Sequence, residues 1–302
     1  RLKINSKRKN DNNRVPENIV KGKVQKVVGG FEFIDGAATD KDGNVYFLDS
    51  RLHRIFKWNY NTQSLSLIAD MPVKPVALAF DNSGNLIVLT EQEDLVFSFD
   101  PDVGVKDLQK LKIVAPNKHE GKAVLLPAHR WRDEMHDFIK INTYSESNPP
   151  VTLSSYNIAH RTKNNPLKEH FISLDGTTFI PNNKDLIRTF SLKKALPGEN
   201  FYMVDEFRQK TYSFKVNLNG SLSNPELFAE NGEFDVKTDS AGNVFIPAGN
   251  IYVYDNTGHK LGKIAVPERP STIVFGGQQK KTLYITAGQS LYKIPVKYSG
   301  EN

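Results

Sequence analysis

Asp40-Lys-Asp-Gly-Asn-Val-Tyr-Phe47 is a polar turn followed at once by a run of strand-forming residues. The same phrase returns as Asp81-Asn-Ser-Gly-Asn-Leu-Ile-Val88 and as Asp239-Ser-Ala-Gly-Asn-Val-Phe-Ile246. Glycine and asparagine accept the positive φ angles of a tight hairpin turn, and β-branched and aromatic residues favour the strands beside it. Each phrase therefore predicts two antiparallel strands joined by a short turn, in which the aspartate accepts hydrogen bonds from backbone N–H groups.

Aromatic residues in the strand after each turn give the period of the repeat. Phe56 and Phe97 are 41 residues apart, while Tyr212, Tyr252 and Tyr292 follow one another at intervals of 40. A period near 40 made of short antiparallel strands is typical of a β-propeller blade. The interval from Phe97 to Tyr212 has room for one enlarged blade or for two ordinary ones. The sequence thus predicts an all-β, six-bladed β-propeller with an expanded middle blade, and seven blades are the alternative.

The positive charge is concentrated at the beginning of the chain. The formal net charge of the 302 residues is +6, yet residues 1–26 contain nine Lys or Arg and only two acids. The rest of the chain is close to neutral, so we do not expect it to present a basic face to nucleic acid. We predict a flexible basic tail or linker over residues 1–26 and a single propeller domain over residues 27–302. Such a tail also suits one module of a longer multidomain polypeptide.

Composition excludes several classes of site. The chain contains no cysteine, which rules out disulfides, thiolate metal sites, iron–sulfur clusters and a cysteine nucleophile. No apolar run approaches the roughly 20 residues of a membrane span. The sequence also lacks the serine-hydrolase elbow, the phosphate-binding glycine loops and the zinc-protease motif. The compartment is not fixed by these features, and periplasmic or extracellular locations are favoured over the cytoplasm.

Acidic residues stand where the innermost strands of the blades are expected to begin. In a propeller these strands line the central channel, and polar residues at their starts meet at one mouth. Converging carboxylates suit a hard cation such as Ca²⁺ or Mg²⁺, and nearby histidines would shift the preference towards Zn²⁺ or Mn²⁺. The acids at predicted strand starts are Asp35, Asp133, Asp175 and either Glu233 or Asp235.

The segment His129-Arg-Trp-Arg-Asp-Glu-Met-His-Asp137 contains two His, two Arg and three acids. It predicts a wall that binds substrate, in which Arg130 or Arg132 holds a carboxylate or a sugar hydroxyl group. His129 and His136 would move a proton near neutral pH, and Arg269 is a further candidate for binding substrate at another strand start. A solvated charged turn is the alternative for this segment. Residues 191–196 have the composition of a short helix.

Two stretches resemble the regucalcin and gluconolactonase family of six-bladed propellers. Phe33-Ile-Asp-Gly-Ala-Ala-Thr-Asp40 through Asp49 resembles the opening phrase of that family. Val266-Pro-Glu-Arg-Pro270 through Leu291-Tyr292 resembles its closing blade. The similarity extends over about residues 27–296, is strongest at the two ends, and favours six blades over seven. It implies one divalent cation on the axis, held by Glu, Asn and Asp, which polarises a lactone carbonyl while the Asp helps to activate water.

Carried over by position, the resemblance implies a set of site residues. Asp35 stands where the family has Glu, and Asp175 stands where it has Asn. Strict spacing places Phe234 at the third position, so Glu233 or Asp235 would have to substitute. The implied metal ligands are thus Asp35, Asp175, Glu233 and Asp235, with Ca²⁺ as the favoured ion. The implied base is Asp235 or Asp133, with Arg132 and His136 orienting the substrate.

These patterns predict a metal-dependent hydrolase of a sugar lactone or a related carbohydrate derivative. The alternative is a non-catalytic propeller that binds a carbohydrate or a protein partner. A third hypothesis is a hydrolase or lyase that uses residues 129–137 without a metal.

Overall fold

A computed structural model of the chain describes residues 14–92, 95–115, 119–130, 171–179 and 189–301. These residues form six small antiparallel or mixed sheets arranged as a six-bladed β-propeller, so the predicted architecture is confirmed. Among the described residues there is no helix with the length and apolar character that a membrane crossing requires.

The first two blades and the last two follow the repeat seen in the sequence. Blade 1 contains β2 (Ile34–Thr39), β3 (Val45–Asp49), β4 (Arg54–Asn59) and β5 (Ser64–Asp70), and blade 2 contains β6 (Pro75–Phe80), β7 (Leu86–Thr90), β8 (Val96–Phe99) and β9 (Gln109–Lys110). Blade 5 contains β19 (Lys237–Asp239), β20 (Val244–Ala248), β21 (Asn250–Tyr254), β22 (Lys260–Ile264) and β26 (Gly300–Glu301). Blade 6 contains β1 (Gln25–Gly29), β23 (Pro270–Gly276), β24 (Thr282–Ala287) and β25 (Ser290–Pro295).

The two middle blades are less regular. Blade 3 contains β10 (Lys112–Val114), β11 (Val124–Pro127), β13 (Phe171–Ser173), β14 (Thr177–Phe179) and β15 (Leu192–Ala195), and blade 4 contains β12 (His129–Arg130), β16 (Asn200–Asp205), β17 (Lys210–Val216) and β18 (Leu222–Ala229). Blade 3 therefore extends from β10 to β15, in agreement with the predicted expansion of the middle of the chain. The helix predicted for residues 191–196 is wrong, because this segment pairs with β11 as the channel-side strand of blade 3.

The aspartate turns form as the sequence predicts. Oδ1 of Asp239 accepts hydrogen bonds from the backbone N–H groups of Ala241 (3.0 Å) and Asn243 (2.9 Å). Asp40 and Asp81 accept the same two bonds in their own turns. The glycine of the Asp239 turn, Gly242, has φ 82°, a conformation that residues with a β-carbon rarely adopt. Each aspartate thus fixes the reversal between the innermost strand of a blade and its neighbour.

The ring is closed by the first strand of the chain. β1 pairs antiparallel with β25 and becomes the outer strand of blade 6, with Gln25 opposite Lys293. Ile19 and Val20 are buried in the apolar cluster of blades 5 and 6, and Val20 forms a bridge to Val296. Packing against the propeller therefore begins before the predicted domain boundary at residue 27.

Apolar side chains fill the space between successive blades. Between blades 6 and 1, Phe47 and Trp58 pack with Val274 and Tyr284, and all four are buried. Burying such side chains is the main favourable term for the fold. The polar groups of interest lie along the channel, at the starts of the innermost strands.

We expect Asp239→Ala to lower the free energy of unfolding by about 2 kcal/mol, because two backbone N–H groups and the buried Asn243 amide lose a charged acceptor. Urea denaturation followed by tryptophan fluorescence measures this change. Asp239→Asn is the matched control, because its amide oxygen still accepts from the backbone. Equal losses in the two variants would contradict the proposed role of the turn bonds.

Candidate functional site

The starts of the innermost strands meet at one end of the channel, which we call the mouth. Ser271 Oγ, at the start of β23, donates a hydrogen bond to the carbonyl of Ile34 at the start of β2 (2.9 Å). A β-carbon on Gly36 would lie 3.5 Å from the carbonyl oxygen of Val76 at the start of β6. The aspartate turns lie at the opposite end of the strands, which we call the base. Because the innermost strands run from the mouth to the base, the candidate site and the aspartate turns lie at opposite ends of the channel.

Asp35 is the buried acid of blade 1 at the mouth. Its side chain is 3% exposed, and its Oδ1 has no hydrogen-bond partner among the described residues. Burial raises the pKa of Asp35 to about 8, the nearby Lys74 lowers it in part, and repulsion from Asp49 adds to the rise. Asp35 is therefore mainly protonated at neutral pH and keeps one buried oxygen without a hydrogen-bond partner among the described residues.

Asp49, at the end of β3, is the second buried acid of blade 1. One of its oxygens, Oδ2, accepts a hydrogen bond from the backbone N–H of Glu32 (2.9 Å). The other, Oδ1, is buried and has no hydrogen-bond partner within the described ranges. Asp49 lies opposite Ile34 in the sheet, one residue from Asp35. Blade 1 thus brings two incompletely paired carboxyl groups to the mouth.

Glu233, a predicted metal ligand, is paired with Arg269, a predicted substrate-binding residue. Arg269 Nη2 contacts Glu233 Oε1, and its Nε lies 3.3 Å from Oε2. The guanidinium bridges blades 5 and 6 and occupies both oxygens of the carboxylate. In this arrangement the negative charge of Glu233 is compensated by Arg269.

Asp235 is also fully engaged. Its Oδ1 accepts from the backbone N–H of Val236 and from the ammonium group of Lys237, each at 2.8 Å. Its Oδ2 accepts from the backbone N–H of Ile273 at 2.9 Å. A second buried lysine, Lys193 of β15, lies on the same channel wall. Burial and the neighbouring Lys237 lower the pKa of Lys193 to about 7.

His129 is buried and belongs to a cluster of aromatic rings. Its Nε2 lies 2.9 Å from Glu206 Oε2, and its Nδ1 has no hydrogen-bond partner among the residues described. The rings of Phe190 and Phe234 lie 5.1 and 5.9 Å from the imidazole and 5.5 Å from each other. These two phenyl rings cover the imidazole. Phe234 is the residue that strict spacing places at the third ligand position.

Asp175 lies elsewhere, and the expectation that it opens an innermost strand is wrong. It occupies the turn between β13 and β14, where it is exposed and 3.9 Å from Lys122 Nζ. The adjacent Leu174 carbonyl accepts from the N–H of Asn82, which follows β6 at the base. Asp35 lies beside the start of β6, and six residues at about 3.3 Å each separate the two ends of that strand. The structure therefore does not bring Asp175 to Asp35.

Asp133, Arg132 and His136 lie outside the described residues, so their predicted roles stay predictions. Within the described ranges, no three His, Asp or Glu side chains converge as a metal site requires. Of the four acids expected around the cation, Glu233 and Asp235 are paired with basic side chains and Asp175 is at the base, which leaves Asp35. The described residues of the mouth therefore do not fit a divalent cation.

Sequence reasoning missed Ser191, Lys193 and Lys237. The strand Tyr202-Met-Val-Asp205 repeats the pattern of Tyr46-Phe-Leu-Asp49 in blade 1. That match identifies the preceding segment, residues 191–195, as a channel-lining strand. The sequence therefore contained the information that this segment is a strand, but its two lysines made it resemble a short amphipathic helix.

Comparison with known proteins supports the same architecture. The family model described as SMP-30/gluconolactonase/LRE-like region matches residues 195–289, from the end of β15 to the turn before β25. No curated protein matches the chain in sequence. The resemblance inferred from the sequence is thus confirmed for a divergent relative.

Several solved structures share the fold at low sequence identity. A candidate gluconolactonase superposes with a TM-score of 0.64 and 16% identity, over 95% of this chain and 97% of its own. A gluconolactonase from Xanthomonas campestris gives 0.61 and 15%, covering 93% and 91% of the two chains. The calcium-binding protein regucalcin from Agrobacterium tumefaciens gives 0.60 and 13%, covering 93% and 95%. At these identities the likeness establishes the fold.

The raised pKa of Asp35 predicts how stability depends on pH. The folded state keeps this proton up to about pH 8, whereas the unfolded chain releases it near pH 4. The contribution of the protonated Asp35 to the free energy of unfolding is therefore complete below pH 4. It is lost as the pH rises to 8, by at most about 1.4 kcal/mol per pH unit. Urea unfolding of wild type and Asp35→Asn between pH 4.5 and 8 measures it. We expect a shallower pH dependence in the variant, and parallel curves would contradict the assignment.

Proposed function

We propose that this divergent relative of the gluconolactonase propellers hydrolyses a small cyclic ester, such as a sugar lactone, at the mouth of its channel. The observation that carries the proposal is Asp35, a buried carboxyl group at the start of an innermost strand with one oxygen lacking a partner. The similarity of fold to gluconolactonases supports the reaction class. Metal dependence is not part of the proposal, because the described mouth residues do not fit a cation.

Hydrolysis of a lactone needs a donor for the carbonyl oxygen and an acceptor for a proton of the attacking water. Asp35 supplies the donor, because its burial favours the protonated form. We assign the acceptor to Asp49, whose buried Oδ1 has no hydrogen-bond partner among the described residues and which belongs to the same blade. The proton that Asp49 takes from water would pass to the ring oxygen when the acyl–oxygen bond breaks. His129 is less suitable, because Phe190 and Phe234 cover its ring.

A specific observation also favours binding without catalysis. Glu233 and Asp235 are both neutralised by basic side chains, and the rings of Phe190 and Phe234 stand at the mouth. Aromatic rings provide apolar contact surface in ligand pockets. The second candidate function is therefore a propeller that binds a carbohydrate or a related small molecule at the same mouth.

The test is hydrolysis of a panel of aldonolactones, followed by a pH indicator in the presence of EDTA. We expect turnover by the wild type and a loss of at least about 100-fold in kcat for both Asp35→Leu and Asp49→Asn, since the first removes the donor to the carbonyl oxygen and the second removes the proton acceptor.

Asp175→Asn is the matched control. The metal-ligand interpretation of the sequence expects it to abolish activity, whereas its position at the base leads us to expect wild-type turnover. If no lactone is hydrolysed with or without added Ca²⁺, but sugars bind in calorimetric titrations, the binding function replaces the hydrolase. Activity that appears only with Ca²⁺ would contradict the metal-independent proposal.

A further inference from the structure

Lys237 places a positive charge inside the channel. The residue begins β19, the innermost full strand of blade 5, and its side chain is 2% exposed. Its Nζ lies 2.8 Å from Asp235 Oδ1 and 2.6 Å from Ser191 Oγ. Both distances are typical of short, charge-assisted hydrogen bonds. The ammonium group is thus held at a fixed position by a carboxylate and a hydroxyl group.

These contacts connect three different blades. Ser191 immediately precedes β15 of blade 3, and Lys237 and Asp235 belong to blade 5. Asp235 in turn accepts the backbone N–H of Ile273 in β23 of blade 6 (2.9 Å). A single buried charge pair therefore joins blades that are well separated in the sequence.

The ligands of this ammonium group are of the type that a hard metal ion selects. Carboxylate and hydroxyl oxygens are preferred by Ca²⁺ and Mg²⁺, and here they surround a charged nitrogen. Lys193, the second buried lysine of the channel wall, is an electrostatic neighbour of Lys237. A divalent cation that entered the channel would meet Lys237 already bound to Asp235 and would be repelled by any charge on Lys193.

We propose that Lys237 is a tethered cation of the propeller, whose ammonium group takes the electrostatic place of a bound metal ion. The protein then holds its blades together without a metal. Truncation of Lys237 would leave a buried carboxylate and a space that an added cation can fill. The proposal concerns the ion pair of Lys237 with Asp235 and does not depend on whether the chain hydrolyses lactones.

The first experiment uses the wild-type chain with the metals alone as probes. Metal content by mass spectrometry and Tm by calorimetry are measured in EDTA and in millimolar Ca²⁺, Mg²⁺, Mn²⁺ or Zn²⁺. We expect no stoichiometric metal and a change in Tm below about 1 °C, whereas a site saturated at 100 times its Kd would raise Tm by several degrees. Retention of a metal, with a fall in Tm on chelation, would overturn the proposal.

The second experiment compares two buried lysines. We expect Lys237→Met to lower Tm by about 5 °C or more, because it leaves the Asp235 carboxylate buried without its partner. Lys193→Met is the matched control, since within the described residues Lys193 has no carboxylate at ion-pair distance, and its Tm is expected to stay the same or rise. Equal Tm values for the two variants would overturn the proposal.

The third experiment tests replacement of the ammonium group. In Lys237→Ala, methylammonium or Ca²⁺ should raise Tm in a saturable way, with no such effect on the wild type or on Lys237→Ala combined with Asp235→Asn. A response that persists in the double variant would show that the added cation binds elsewhere and would count against the proposal. If Lys237→Ala does not fold, the metal measurements on the wild type still decide the question.

Discussion

The aspartate turn is the constraint on which the geometry of this propeller depends. In three blades one carboxylate accepts two backbone N–H groups and fixes the reversal after the innermost strand. Because the turns lie at the base, the beginnings of the same strands meet at the mouth. Hydrogen bonds between residues at most four positions apart therefore determine which distant side chains become neighbours. Asp35 and Asp235 both reach the channel for this reason, although they are far apart in the sequence.

Ion pairs between blades then determine which acids of the channel remain available for chemistry. Glu233 is bound by Arg269 from the next blade, and Asp235 is bound by Lys237 and by the backbone of blade 6. Two acids in positions that resemble a metal site are thus already satisfied by the protein itself. Asp35 and Asp49 differ, because each keeps an oxygen without a partner among the described residues. The carboxyl groups to which we assign the chemistry of the mouth therefore both belong to blade 1.

The sequence was sufficient for the fold but only in part for the site. The Asp-x-x-Gly-Asn phrase and the spacing of Tyr212, Tyr252 and Tyr292 are local, so they predicted the propeller blades and the turns directly, while the family resemblance favoured six blades over seven. The partners of the acids are not local: Lys237 bonds to Ser191 and Glu233 to Arg269 across blade boundaries. Asp175 looked equivalent to Asp35 in its Asp-Gly pair, but the irregular pairing of blade 3 moved it to the base. Only the three-dimensional pairing distinguishes these cases.

The pairing of β1 with β25 has a consequence for the kinetics of folding. Gln25 and Lys293 lie at opposite ends of the propeller sequence, and closing so long a loop carries an entropic cost. Non-local contacts of this kind slow folding, and until they form, the edge of blade 6 lacks its outer strand. An open sheet edge invites pairing with other chains. The step that completes the ring thus also covers a sheet edge that could otherwise pair with other chains.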